Sequence, residues 1–189
     1  PHLPKVDLVL TDPPYGIGED GGKKRLSRNR KSIRVFKKMS WDRKRPSPEV
    51  FSAIMNASQS HIIWGGNYFA DLLPPTSGWL YWDKMMGGDF SDGELAYTSR
   101  DGALKAFSHY NKMQGRLHPA QKPVALMKWC LSFFPNAQTI LDPFLGSGST
   151  LRAAKDLGLQ AIGIELEEEY CEIAANRLRQ EVLSFEAAA

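Results

Sequence analysis

Residues 139–150, TILDPFLGSGST, pass from a short apolar run to an acid and then to glycines at 146 and 148. The next segment, TLRAAKDLG (150–158), has helical character and a glycine stop, and QAIGIEL (160–166) reads as a strand. A strand, a glycine turn and a helix N-terminus together form a pocket where backbone approaches a ligand closely. Glu165, 19 residues after Gly146, ends the following strand. An acid at that place accepts hydrogen bonds from both ribose hydroxyls of a nucleoside.

The glycine pattern excludes two common ligands. It lacks the third glycine of the dinucleotide fingerprint and the G-K-[ST] ending of a phosphate loop. A nucleoside without phosphates fits better, and S-adenosylmethionine is such a cofactor.

Outward from this core, strands alternate with helices. Strands are expected at 5–11, 61–66 and 78–84, and helices at 47–58, 122–134 and 167–183. Ser47 is the N-cap and Pro48 the first-turn proline of the 47–58 helix. ELAYTS (94–99) and ALKAFSH (103–109) flank the tight turn Arg100-Asp101-Gly102 and are expected to pair as an antiparallel edge hairpin. The pattern is α/β: a mostly parallel twisted sheet with helices on both faces, within a single domain over 1–189. Ligands bind such sheets off the carboxyl ends of the strands. Two strands end unusually, in LTDPPYG and in LDPFLGSGST, and both should face one crevice.

Charge is unevenly placed. The chain carries a net +3, yet residues 17–45 hold 12 of its 24 Lys and Arg and only three acids. Such a block is either a solvated loop or an arm that meets nucleic-acid phosphates. Lys24, Arg28, Arg30, Lys31 and Arg34 are its candidate contacts. The two cysteines, Cys130 and Cys171, lack metal-ligand spacing, so no metal site is expected, and they read as reduced residues of a cytoplasmic protein. No apolar run is long enough to span a membrane.

DPFLGSGST (142–150) resembles the cofactor motif of S-adenosylmethionine-dependent DNA amino methyltransferases, and DPPY (12–15) resembles their catalytic motif. HPAQKP (118–123) resembles the segment that precedes the cofactor motif. Catalytic motif before cofactor motif is similar to the permuted β-class arrangement, and the likeness runs from Val6 to about Leu183. It implies a Rossmann-like methyltransferase fold. Phe144, Gly146 and Ser147 would then line the cofactor pocket, with Glu165 on the ribose and Lys122 at the methionyl carboxylate. Asp142 would hold the loop or meet the cofactor's amino group, and His118 would fix a turn. Members carry a further sheet segment upstream of the catalytic strand, so an incomplete edge is expected for residues 1–189.

The implied chemistry accounts for VLTDPPYG (9–16). An exocyclic base amine is a poor nucleophile because its lone pair is delocalised into the ring. Two acceptors aimed at its hydrogens free that lone pair and stabilise the developing positive charge. Asp12 supplies a carboxylate and Pro13 a carbonyl, while Pro13 and Pro14 stiffen the frame. Tyr15 offers a ring to a base turned out of the duplex. Within the family, D-P-P-Y rather than S-P-P-Y points to the N6 amine of adenine in double-stranded DNA. Cytosine-N4 and RNA-adenine methyl transfer are the alternatives, with a catalytically inactive nucleic-acid-binding homologue as a third. A homodimer is expected only by analogy.

Asn67, Trp82 and Asp83 are placed at strand ends near the crevice, and Trp41, Trp64, Trp79 and Trp129 are assigned to packing. Base readout is expected from 17–45 and from a small target-recognition region at 84–117, where Asn111, Lys112, Gln114 and Arg116 are candidates.

Overall fold

A computed structural model of the chain describes residues 3–19, 21, 36–86, 91–110 and 115–180. Among these are strands β1 (Leu8–Thr11), β2 (His61–Trp64), β3 (Leu80–Asp83), β4 (Gly93–Thr98), β5 (Lys105–Ser108), β6 (Thr139–Asp142) and β7 (Gln160–Gly163). The helices are α1 (Pro48–Ala57), α2 (Val124–Leu131), α3 (Ser149–Asp156) and α4 (Glu168–Arg179). The strands form one sheet in the order β5-β3-β4-β2-β1-β6-β7.

β1 lies inside the sheet, parallel to β2 on one side and β6 on the other. Its four residues, LVLT, are all buried, as are the four of β2, HIIW. Continuous burial is what a parallel strand covered on both faces requires. Only β4 of the described strands runs against the rest. Asp7 sets the register of the two motif-bearing strands. Its carboxylate accepts from the Gln138 and Thr139 amides at 2.9 Å and from Thr139 Oγ1 at 2.8 Å. These bonds hold its carboxyl below the usual carboxylate range.

The two faces have separate cores. Leu8, Leu10, Ile62, Trp64 and Ile140 meet α2 and α3 through Leu126, Met127, Cys130, Ala153 and Ala154. Val9, Ile63, Tyr97 and Leu141 meet α1 through Phe51, Ile54 and Ala57. Alternation along β1 thus feeds both layers from one strand. Ser47 caps α1 by accepting from the Val50 amide, with Pro48 in the first turn. α4 begins with Glu168 and Glu169, ends with Arg177 and Arg179, and packs on α3.

The antiparallel hairpin exists, but its strands are β3 and β4. The expected pairing of 94–99 with 103–109 does not form: β5 lies beyond β3 and pairs with it in parallel. The connection crosses the start of β3 instead of folding back. Thr98 Oγ1 donates to the Gly78 carbonyl at 2.6 Å and the Lys105 amide to that of Trp79 at 3.0 Å. The crossing is possible because residue 78 is glycine; a Cβ there would lie 2.1 Å from the Arg100 carbonyl oxygen. Residues 93–98 and 105–108 of the expected recognition region are therefore strands of the main sheet.

Candidate active site

β1 and β6 end side by side, and the loops that follow them open into one cavity of about 1130 Å³. Asp12, Pro13, Pro14 and Tyr15 line one part of it, and Phe144, Gly146, Ser147 and Glu165 line another. The sequence separates these groups widely; adjacency of two parallel strands joins them.

In the glycine loop, Gly146 and Gly148 have φ of +52° and +79°, left-handed values that favour glycine. Glu165 spans the loop mouth. Its Oε2 accepts from the Gly146 amide at 2.7 Å, and its Oε1 from the amides of Leu166 (2.8 Å) and Glu167 (3.0 Å). Arg177 donates to the Ser147 carbonyl and hydroxyl, fixing the loop to α4. Asp142 Oδ1 accepts from Thr11 Oγ1 at 2.8 Å and from the Phe144 amide at 3.2 Å. Asp142 thus ties the end of β1 to the loop after β6. Burial pushes its carboxyl up to about 6.

The DPPY half is a polar cluster in which Lys84 and Lys122 are buried and Asp12, Tyr15 and Glu94 are partly buried. Tyr15 donates its hydroxyl to Asp12 Oδ1 at 2.5 Å, and Lys122 pairs with Asp12 Oδ2. Lys122 also reaches Glu94 at 3.0 Å, and Glu94 pairs through its other oxygen with Lys84 at 2.5 Å. Burial raises the Asp12 carboxyl, with Lys122 opposing it. Glu94 is also pushed up by burial, but Lys122 and Lys84 outweigh that and hold it at about 2. Burial works against the Lys122 ammonium, yet Asp12 and Glu94 raise it overall. Burial and the Asp12 charge push the Tyr15 phenol well up.

These placements alter the expected roles. Lys122, assigned to the cofactor's carboxylate, has its ammonium on Asp12 instead, drawn there by two carboxylates. Tyr15, assigned as an open stacking surface, has Tyr68 stacked on its ring at 4.7 Å between centroids and 15° between planes. It also packs against Gly65, where a Cβ would lie 2.0 Å from Tyr15 Cε1. His118 is a turn residue: Nδ1 accepts from the Ala120 amide at 3.1 Å. Burial, with Lys122 and Arg116, pushes its imidazole down to about 3, so it is neutral at physiological pH.

Asn67 and Trp82 line the cavity. Asp83 instead accepts from the Met85 amide and the Ser108 hydroxyl at its own strand end. Trp64, Trp79 and Trp129 pack in the two cores, but Trp41 lies against His118 at 5.0 Å on the cavity wall. Arg116, a candidate for base readout, is buried, donates to the Pro119 carbonyl and lines the cavity. Lys24, Arg28, Arg30, Lys31 and Arg34, and Asn111, Lys112 and Gln114, lie outside the described residues. Glu94, Lys84 and Tyr68 carry no motif. Their part in the site shows only once the end of β3, the start of β4 and the turn after β2 meet the loop after β1 at one end of the sheet.

Known proteins resemble this chain in both sequence and shape. It is 28% identical over 156 residues to the Type II methyltransferase M2.LlaDCHI of Lactococcus lactis subsp. cremoris, covering 82% of this chain and 55% of that protein. It is 25% identical over 228 aligned positions to the Type II methyltransferase M.HpaI of Haemophilus parainfluenzae, covering 96% of this chain and 71% of that one. The chain spans about half the length of the first of these relatives. Among solved structures, the M1.HpyAVI–SAM complex matches with a TM-score of 0.60 at 22% identity, covering 94% and 90% of the two chains. The cytosine-N4-specific PvuII DNA methyltransferase matches with a TM-score of 0.58 at 14% identity, covering 97% and 83%. At these identities the two structures speak to the fold. The family model described as DNA methylase matches residues 21–176, and the chain belongs to that family.

Proposed function

We propose that this chain transfers a methyl group from S-adenosylmethionine to the exocyclic N6 amine of an adenine turned out of duplex DNA. The observation that carries the reading is the shared cavity, with the Asp12 carboxylate and the Glu165-closed glycine loop on its walls. The residues present suit the cofactor: left-handed glycines allow close approach, and Glu165 is an acceptor for ribose hydroxyls. When bound, the cofactor supplies a methyl group on a positively charged sulfur. Asp12 accepts a hydrogen bond from the amine, concentrating its lone pair and stabilising positive charge as the new N–C bond forms. The new N–C bond would replace the cofactor's S–C bond, leaving a neutral thioether, and the proton shed by the methylated amine would pass to water in the cavity.

Adenine is favoured over cytosine by the acid at position 12. The fold shared with a cytosine-N4 enzyme leaves the base to be read chemically. Incubation of unmethylated duplex DNA with methyl-labelled S-adenosylmethionine and the full-length protein should label the DNA. Mass analysis should return N6-methyladenine, and N4-methylcytosine would reassign the base. Asp12→Ala should abolish transfer while leaving cofactor binding measurable by calorimetry. Label surviving in Asp12→Ala overturns the assigned mechanism, and no label with the wild-type protein overturns the function.

A further inference from the structure

In this arrangement both oxygens of Asp12 are engaged, Oδ1 by the Tyr15 hydroxyl and Oδ2 by the Lys122 ammonium. Each oxygen keeps a second lone pair for a target amine, but the Lys122 ammonium beside Asp12 offsets the negative charge that would stabilise positive charge developing on that amine. Drawing a buried ammonium away from its counter-ion is costly unless another carboxylate takes up the charge. Glu94 is already 3.0 Å from the same nitrogen, on β4. Its other oxygen is held by Lys84, just after β3, so it is anchored independently of Lys122. Two lysines and two carboxylates alternate along the chain Lys84, Glu94, Lys122, Asp12.

We propose that Glu94 is a positioning residue that acts as the alternative counter-ion for Lys122, letting the ammonium withdraw from Asp12 when the target amine arrives. The inference rests on the methyl-transfer reading of the site. Lys122 need move only between two carboxylates that it already touches, and no buried charge is stranded on the way. Tyr15 stays on Asp12 Oδ1 and keeps the carboxylate aimed. The groups facing Asp12 are Lys122, Glu94, Tyr15 and Asp142; those facing Glu94 are Lys84, Lys122, Asp12, Tyr15 and Arg116. Glu94 raises the Asp12 carboxyl by like-charge repulsion, so removing its charge lowers Asp12 and leaves Lys122 on it alone.

Glu94→Gln and Glu94→Asp test this. In Glu94→Gln, kcat should fall roughly 10- to 100-fold, the range for residues that position a catalytic group. KM for S-adenosylmethionine should hold, and the acid limb of the kcat–pH profile should move to lower pH. Glu94→Asp, which keeps the charge, should recover most of the rate. A measurement independent of turnover is the carboxyl-carbon NMR titration of Asp12, whose midpoint should fall in Glu94→Gln and return in Glu94→Asp. A midpoint and acid limb unchanged in Glu94→Gln, with activity falling only in proportion to folded protein, overturns the proposal. If the wild-type protein transfers no methyl group while the Asp12 midpoint still falls in Glu94→Gln and returns in Glu94→Asp, the functional reading is overturned and the Glu94–Lys122–Asp12 coupling stands.

Discussion

Asp12 and Asp142 end adjacent parallel strands, and burial raises both, but their surroundings differ. Asp12 faces the Lys122 ammonium, whereas Asp142 is held by hydrogen bonds from Thr150, Thr11 and Phe144, the last two on Oδ1. A carboxyl raised from 3.8 to about 6 on folding binds its proton more tightly in the folded state. Its contribution to stability is therefore full below pH about 4 and is lost as pH rises through about 6. Asp142→Asn keeps an Oδ1 acceptor and removes the titration. The melting temperature of Asp142→Asn relative to wild type should therefore rise between pH 4 and pH 7, and a constant difference across that range would contradict the assignment. At this scale the sequence exposes Asp12, Glu165 and Lys122 because they sit in ordered motifs. It does not expose Lys122's partner, since the two motifs that hold Lys122 and Tyr15 are 107 residues apart. Glu94 is hidden further, in an ordinary strand sequence.

At the scale of elements, local chemistry and tertiary packing divide the chain between them. α1 is legible because Ser47, Pro48 and the spacing Phe51, Ile54, Ala57 all agree with one helix. The turn Arg100-Asp101-Gly102 misleads because tight-turn residues serve a crossing as well as a hairpin. β3 takes the place beside β4, and Gly78 lets the connection pass over its start. Gly78→Ala should therefore cost about 1–3 kcal/mol of stability by overpacking. For a chain of this size each kcal/mol lowers the melting temperature by about 2–4 °C. Hydrogen exchange should quicken first at Lys105–Ser108, the strand the crossing positions; uniform exchange across the sheet would argue against this role.

Across the whole molecule, the sheet order brings the loops after β1 and β6 to the same end of the sheet, while residues 17–45 hold 12 of the chain's 24 Lys and Arg. Replacing Lys24, Arg28, Arg30, Lys31 and Arg34 with Gln should weaken DNA binding similarly for all sequences. The slope of log affinity against log salt should flatten by about 0.9 for each phosphate that the arm no longer neutralises. Binding of S-adenosylmethionine should be unaffected, and an unchanged salt slope would remove the arm from the DNA interface. By itself the sequence determined the α/β alternation, the order of the two motifs and the identity of their acids, because turn chemistry and hydrophobic period act over a few residues. Only the tertiary structure decided that Lys122 sits on Asp12, that Glu94 shares it, that Tyr68 covers Tyr15 and that β3 lies between β4 and β5. Each of these depends on which buried charge, ring or strand edge finds its partner across the fold, and such pairings leave no local trace in the chain.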